Sequence, residues 1–335
     1  MVTDIGVVGA GAWGTALAKV LADKGERVTL WCHGEACYQD ITDRRENRVY
    51  LAGIALPSNI EATQSLARTV ADKNLIICAV PSHAVREVFT EAADLIAPQS
   101  LLLCGTKGLE EFKLLTMGEL FADILGVARQ NRLAFLSGPS FAIEVARGLP
   151  TAVTVAAGSE TVAKAIQEIL STSSLRVYTS TDVAGVQIGG VVKNVIAIAA
   201  GISDGLGLGQ NARAALVTRG LAEMTRLATR MGADATTLAG LPGLGDLVLT
   251  CAGDLSRNRS VGWQIAAGKS LREITGSTRS VAEGVRNTRS LFSLARRLGI
   301  EMPIVEQMFA VLYGGKKPAD AVRELMQRSL KPEAG

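Results

Sequence analysis

The chain has 335 residues, more than one hydrophobic core usually spans, so two domains are expected. Hydrophobic residues make up 48% and charged residues 20%, which excludes disorder, and aromatic residues at 4% exclude a base-stacking surface. Lys plus Arg number 35 against 32 Asp plus Glu, a net charge of +3 that is too balanced for a nucleic-acid binder.

The first half alternates between strand and helix. Apolar or β-rich runs at 4–8, 27–31, 75–80, 101–104 and 133–136 predict strands. Helical spacing lies between them at 13–24, 34–46, 82–95 and 113–125. Two more strands, 151–157 and 175–178, flank a helix at 160–170. The strands are continuously apolar, so both faces of the sheet are covered. Strand-helix alternation predicts an α/β fold with a doubly wound parallel sheet. Beyond residue 180 strand signals nearly vanish. Helical patterns follow at 182–200, 212–231, 260–267, 285–298, 304–313 and 318–327. The expected division is a dinucleotide-binding domain over 1–180 and an all-helical substrate and catalytic domain over 181–335.

Only His33 and His83 are present, so triads, His-rich metal sites and His-dependent dehydrogenases are disfavoured. Proton transfer then belongs to another residue type. The cysteines Cys32, Cys37, Cys78, Cys104 and Cys251 form no C-x-x-C pair and assemble no zinc pattern, so no metal is expected. Scattered thiols suit a reducing cytosol, and Met1-Val2-Thr3-Asp4 does not open a signal peptide, so a cytoplasmic location is expected.

The segment around the first turn reads Gly9-Ala10-Gly11-Ala12-Trp13-Gly14. It follows a strand and opens a helix. Gly9 permits the tight turn, Gly11 lets a pyrophosphate approach the backbone, and Gly14 lets the helix pack on the sheet. The helix N-terminus faces the anion with free N–H groups. The second strand ends at Trp31-Cys32-His33-Gly34, with Glu35 slightly beyond. No acid stands at the tip, so a 2′-phosphate is not repelled and both NADP and NAD are accommodated. His33 either contacts that phosphate or is a solvated loop imidazole.

Residues 183–203 carry one charge, Lys193, beside Asn194. A charge at a bilayer centre is costly, so this run predicts a buried core helix and no membrane insertion. Burial lowers a lysine pKa toward the working pH and makes Lys193 a candidate proton donor and acceptor at a carbonyl. Gly185, Gly189 and Gly190 weaken a helix and make sense if something must approach its backbone. Lys107, after the strand at 101–104, is a second cation aimed at the crevice. Ser137-Gly138-Pro139-Ser140 offers N–H groups and a hydroxyl to an anion, or is a turn with an N-cap. Asp246, after Gly243-Leu244-Gly245, is an N-cap, a partner of Lys193 or an acceptor of a substrate hydroxyl. Ser256-Arg257-Asn258-Arg259 groups guanidinium and amide side chains that match phosphate oxygens. Together these clusters point to a small, hydroxylated, phosphorylated substrate beside a nicotinamide.

These residues resemble the bacterial-type NAD(P)-dependent glycerol-3-phosphate dehydrogenases over nearly the whole chain. The resemblance rests on the glycine loop, Val80-Pro81-Ser82-His83, Thr106-Lys107-Gly108-Leu109, Ser137-Gly138-Pro139-Ser140-Phe141-Ala142 and Gly148-Leu149-Pro150-Thr151-Ala152. It continues through Val192-Lys193-Asn194-Val195-Ile196-Ala197, Asn211-Ala212-Arg213, Gly243-Leu244-Gly245-Asp246-Leu247, Ser256-Arg257-Asn258-Arg259, Val281-Ala282-Glu283-Gly284 and Glu301-Met302-Pro303-Ile304. It implies a Rossmann-type domain followed by a helical domain, a homodimer, and reversible reduction of dihydroxyacetone phosphate to sn-glycerol 3-phosphate for glycerophospholipid synthesis. It implies Lys193 as the catalytic proton donor and acceptor. It implies substrate contacts from Lys107, Gly138, Ser140, Lys193, Asp246, Ser256, Arg257 and Asn258. Cofactor contacts are implied for Gly9, Gly11, Ala12, Trp13, Gly14, His33, Lys107, Ala142, Arg257, Val281 and Glu283. Two positions depart from the family pattern. Ala12 stands where serine is frequent, which leaves only its backbone N–H for the cofactor. The strand tip often carries arginine and here reads Cys32-His33. A hydroxyacid or ketopantoate-like reductase and a nucleotide sensor without chemistry are the competing readings.

Overall fold

The computed structural model describes residues 3–276, 282–330 and 332–333. In chain order the first half contains β1 (Asp4–Val8), α1 (Ala12–Asp23), β2 (Arg27–Trp31), α2 (Glu35–Arg44), β3 (Glu46–Asn47), β4 (Leu51–Ala55), β5 (Ile60–Thr63), α3 (Leu66–Val70), β6 (Leu75–Cys78), α4 (Ser82–Ala92), β7 (Leu101–Cys104), α5 (Met117–Leu125), β8 (Leu133–Ser137), α6 (Ala142–Ala146), β9 (Thr151–Ala157), α7 (Glu160–Leu170) and β10 (Leu175–Ser180). The second half is helical among the described residues. It runs through α8 (Val183–Gly205), α9 (Gly209–Arg230), α10 (Ala235–Ala239), α11 (Asp246–Ala252), α12 (Arg257–Ala266), α13 (Leu271–Gly276), α14 (Glu283–Leu298), α15 (Pro303–Tyr313) and α16 (Pro318–Met326).

One sheet has the strand order β10-β9-β8-β7-β6-β1-β2-β5. β1 lies parallel between β2 and β6, with Ile5 opposite Val28 and Leu75. Side chains alternate across it. Ile5, Val7, Leu75 and Ile77 enter an apolar layer with Leu17, Leu21 and Ile166, whereas Val8, Ile76 and Cys78 enter the opposite layer with Phe89 and Phe121. That double burial explains the unbroken apolar strands.

The expected α/β class holds, but the sheet is mixed. β9 runs antiparallel to β8, with Phe135 opposite Ala156, and β10 is parallel to β9. The connection from β8 to β9 carries only α6, five residues long. That helix is too short to return the chain to the starting edge, so the strand comes back reversed. The longer α7 restores a crossover before β10. Helix starts also shift where caps decide them. α5 begins only at Met117, because Thr116 and Glu119 close a reciprocal capping box there. Strands β4 and β5 and helix α3 stand where no element was expected, and β3 begins at Glu46, the last residue of the helix expected over 34–46.

α8 is the axis of the helical half. It is long and apolar enough to cross a membrane by composition, yet 83% of its apolar stretch is buried inside the fold. Ile188, Val192 and Ile196 share a core with Leu227, Leu247, Leu291 and Leu294. α12 lies against it at backbone contact. A Cβ on Gly201 would stand 1.9 Å from the Arg259 carbonyl oxygen, and one on Gly262 would stand 1.9 Å from that of Ile198. Neither obstacle is a movable side chain. Gly262→Ala is therefore expected to prise α12 from α8 and cost roughly 1–3 kcal/mol. A lowered urea midpoint at unchanged m-value checks this.

Candidate active site

The site lies where the C-terminal ends of β7 and β8 meet α8 and α11. Asp246 opens α11 directly after a π-helical turn at Leu241–Gly245. Its carboxylate is 1% exposed and receives two ammonium groups. Lys193 Nζ, from α8, donates to Oδ1. Lys107 Nζ, from the loop after β7, donates to Oδ2 at 2.6 Å. Of the alternatives open to Asp246, the ion pair is the one formed. Lys193 Nζ also donates to Thr250 Oγ1 at 3.1 Å, and that hydroxyl donates to the Asp246 carbonyl at 2.6 Å. Sequence reasoning misses Thr250, although its i+4 spacing from Asp246 puts both on one helix face.

The electrostatics follow from burial and charge. Lys193 is 7% exposed. Loss of water and, to a lesser extent, the Lys107 charge lower its pKa to about 8 against the pull of Asp246. Asp246 is held below the usual carboxylate range, because the two lysines outweigh the burial that would raise it.

The glycines of α8 admit the chain itself. A Cβ on Gly189 would meet the Pro242 carbonyl oxygen at 2.3 Å, and one on Gly190 would lie 3.2 Å from both Lys107 Cγ and Ser137 Oγ. Gly189 seats the turn that aims Asp246, and Gly190 seats the Lys107 stem.

The other predicted residues arrange around this cluster. Ser256 caps α12, accepting from the Arg259 N–H at 3.2 Å. Arg257 is the first residue of that helix and is exposed. Asn258 is buried. It donates to Asn194 Oδ1 at 2.9 Å and accepts from the Gly284 N–H at 3.0 Å, so it joins α8, α12 and the start of α14. Asn194, next to Lys193 in the apolar run, is thus part of the site's frame. Asp204 accepts from Arg213 and Arg259 and fixes the end of α8 to α9 and α12. Glu283, half-buried at the first position of α14, has its carboxyl raised by burial against the opposing charges of Arg257, Lys107 and Lys193. Gly138 has φ +131°, and Ser140 Oγ donates to its carbonyl at 2.9 Å, while Ala142 opens α6. Val281 lies outside the described residues.

The glycine loop has the shape of a dinucleotide cradle. Gly9 has φ +116°, and a Cβ there would strike the Ala79 backbone at 2.9 Å. A Cβ on Gly14 would stand 1.9 Å from the Gly9 carbonyl oxygen. Gly11 has open space on its side-chain face and caps α1 with no side chain over the helix end. That open, uncapped N-terminus fits a pyrophosphate. Ala12 and Trp13 form the first turn of α1, and Trp13 Nε1 has no hydrogen-bond partner among the described residues. His33 is exposed beyond the end of β2, its ring 5.5 Å from that of Trp31. No cluster of three metal-ligating side chains occurs among the described residues.

Replacing Asp246 by Asn leaves two ammonium groups facing each other around an uncharged amide. Asp246→Asn is expected to push the Lys193 pKa below about 8, seen as earlier reactivity of that amine toward an acylating reagent on raising the pH. It is also expected to destabilise the protein by roughly 3 kcal/mol in denaturant unfolding.

Comparison with known proteins agrees along the whole chain. Residues 4–163 match the N-terminal and residues 182–323 the C-terminal family model of NAD-dependent glycerol-3-phosphate dehydrogenase. A glycerol-3-phosphate dehydrogenase (NAD(P)+) of Geobacter sp. (strain M21) is 53% identical over 99% of both chains. One of Anaeromyxobacter sp. (strain K) is 54% identical over 98% of both. The crystal structure of glycerol-3-phosphate dehydrogenase from Coxiella burnetii superposes with a TM-score of 0.93 at 41% identity, covering 98% of this chain and 99% of that one. A ketopantoate reductase from Ralstonia eutropha, 16% identical with a TM-score of 0.62, shares the fold alone. The chain belongs to the NAD(P)-dependent glycerol-3-phosphate dehydrogenase family of oxidoreductases.

Proposed function

We propose that this protein reversibly reduces dihydroxyacetone phosphate to sn-glycerol 3-phosphate, with Lys193 as proton donor and acceptor. The observation that carries this reading is the buried Lys193–Asp246–Lys107 cluster at the strand ends. We place the work in the cytoplasm, in a homodimer, supplying glycerophospholipid synthesis. We divide the chain at residue 180 into a cofactor domain and a substrate domain.

When bound, the reduced dinucleotide supplies a hydride equivalent to the ketone. Gly9, Gly11, Ala12, Trp13 and Gly14 would hold its pyrophosphate, and His33 its adenosine end. Lys107, Ala142, Arg257, Val281 and Glu283 would complete the pocket. Arg257 and the capped start of α12 with Ser256 and Asn258 bind the phosphate ester, combining a guanidinium fork with a helix N-terminus. Gly138 and Ser140 meet the substrate from the β8 side. Lys193, as the ammonium, gives its proton to the alkoxide that forms. Asp246 aims that ammonium and stabilises it, while Lys107 adds positive charge beside the developing oxyanion. In the reverse direction Lys193, as the free amine, takes the hydroxyl proton.

The sign of the pH dependence follows. Reduction needs the Lys193 ammonium, so kcat/KM for reduction should fall as pH rises through about 8. Oxidation needs the amine and should rise over the same interval. Lys193→Ala should lower turnover by roughly 10²–10⁴-fold while NADPH and NADH still bind. Initial rates with dihydroxyacetone phosphate and each reduced cofactor, with binding measured separately, check both points. Near-normal turnover in the variant would remove Lys193 from the mechanism.

Arg257→Ala removes a charge-assisted contact to the phosphate. KM for the phosphorylated ketone should rise roughly tenfold or more, with the unphosphorylated ketone unaffected. Equal use of both ketones by the native protein would favour a hydroxyacid or ketopantoate-type substrate instead.

A further inference from the structure

Cys32 and Cys37 are five residues apart, one just past β2 and the other in the first turn of α2. Their sulfurs stand 3.9 Å apart in hydrogen-bond contact. Cys37 Sγ also faces the carbonyl of Ala10 at 3.7 Å, inside the glycine loop. The same carbonyl receives Asn47 Nδ2 at 2.8 Å and Thr15 Oγ1 at 3.3 Å. The thiol pair thus touches the pyrophosphate cradle on one side and the strand tip bearing His33 on the other. Both cysteines are buried, and the segment between them, His33 to Ala36, is exposed.

We propose that Cys32 and Cys37 form an oxidisable dithiol site that takes a hydroperoxide as oxidant, and that its disulfide form weakens dinucleotide binding. Cys37 is the attacking thiol. It lies in the first turn of a helix whose N-cap, Gly34, provides no side-chain acceptor, and an uncapped N-terminus favours a thiolate. The hydrogen bond shared with Cys32 and a second with Asn47 hold the Cys37 thiol below its ordinary range, and the shared bond pushes that of Cys32 up. The Cys37 thiolate attacks a peroxide oxygen, the O–O bond breaks, and hydroxide leaves to give a sulfenic acid. Cys32 sulfur then attacks Cys37 Sγ, the S–O bond breaks, and the oxygen departs as water with the Cys32 proton. Two thiols and hydrogen peroxide become one disulfide and two waters, with both electrons ending on oxygen. A thiol-based reductant reverses the change.

The coupling follows from geometry. A disulfide brings the sulfurs from 3.9 Å to about 2.05 Å, turning both side chains and drawing the first turn of α2 toward the end of β2. Cys37 leaves the Ala10 carbonyl, and the loop carrying His33 is drawn across the adenosine end. Cys78 and Cys104 also face each other across β6 and β7 and are as buried as Cys32 and Cys37, but they stand on central strands with no exposed residue within two positions of either. The effect on affinity rests on the assignment of the glycine loop to the dinucleotide, and the disulfide itself does not.

The full-length protein is treated with hydrogen peroxide, its remaining thiols are alkylated after denaturation, and its peptides are weighed. Affinity for NADPH and NADH is measured before and after. A Cys32–Cys37 link with Cys78, Cys104 and Cys251 alkylated is expected. Both Kd values should rise roughly tenfold, equivalent to about 1.4 kcal/mol, and return with dithiothreitol. Cys32→Ser and Cys37→Ser should each abolish the link and keep the affinity constant under peroxide. Absence of the link, a Cys78–Cys104 link in its place, or a linked protein with unchanged Kd overturns the proposal. Failure of the reduced protein to bind either cofactor would instead count against the glycine-loop assignment, with the link still decided by mass.

Discussion

Asp246 holds two ammonium groups that arrive from different halves of the chain, and the surrounding structure is arranged to keep that carboxylate dry and aimed. Lys193 comes from α8 and Lys107 from the end of β7. One buried anion between two cations leaves a net positive pocket, which suits a phosphorylated, anionic substrate. It also explains why a buried lysine survives without water. Desolvation alone would strip its proton, and the carboxylate restores enough stability to leave the pKa near neutral, at about 8. A lysine at its ordinary pKa would part with its proton too reluctantly, and one without a partner would not carry it.

The backbone contacts serve the same end. The Pro242 carbonyl lies against Gly189 of α8, and the α12 backbone lies against Gly201. These approaches let three helices converge on one point with short side chains between them. Asn258 then uses both ends of its amide to join Asn194 and Gly284. An isolated amide in this position would be costly to bury. Satisfied at both ends, it sets the spacing between the start of α12 and Lys193 of α8.

Much of this arrangement is legible in the residues alone. Lys193 is conspicuous because a lone charge in an apolar helix needs a reason to be buried. The glycine loop is legible because a positive φ and close packing admit few residues. The bounds of β1, β2, β7, β9 and α7 follow from dense apolar runs broken by turn residues. Less can be read where meaning depends on contacts distant in sequence. Three roles are open to Asp246 until Lys107, 139 residues away, meets it in the fold. The reversal of β9 depends on how far α6 can carry the chain, which residue type does not record. β5 and α3, of four and five residues, are too short for a periodic signal. The glycines of α8 point to a close approach, whose agent is the chain's own backbone at Gly189 and the Lys107 stem at Gly190.

The α8–α12 contact has a kinematic consequence. With no side chain between the two backbones at Gly201 and Gly262, there is no soft layer on which they can slide. Asp204 adds an electrostatic pin at the far end, and α11 is packed on the same helix. Lys193 on α8 and Ser256 and Arg257 at the start of α12 are therefore held as one rigid body. Only a short link, Ser180 to Val183, separates the last strand from α8. Lys193 and Asp246 belong to that body, whereas Lys107 approaches Asp246 from the end of β7. The Lys107–Asp246 bond is one of several that tie the halves together, with the Gly118 N–H donating to Gln187 Oε1 at 2.8 Å and Arg286 pairing with Glu111 at 3.0 Å, so the site is braced from both sides of the boundary.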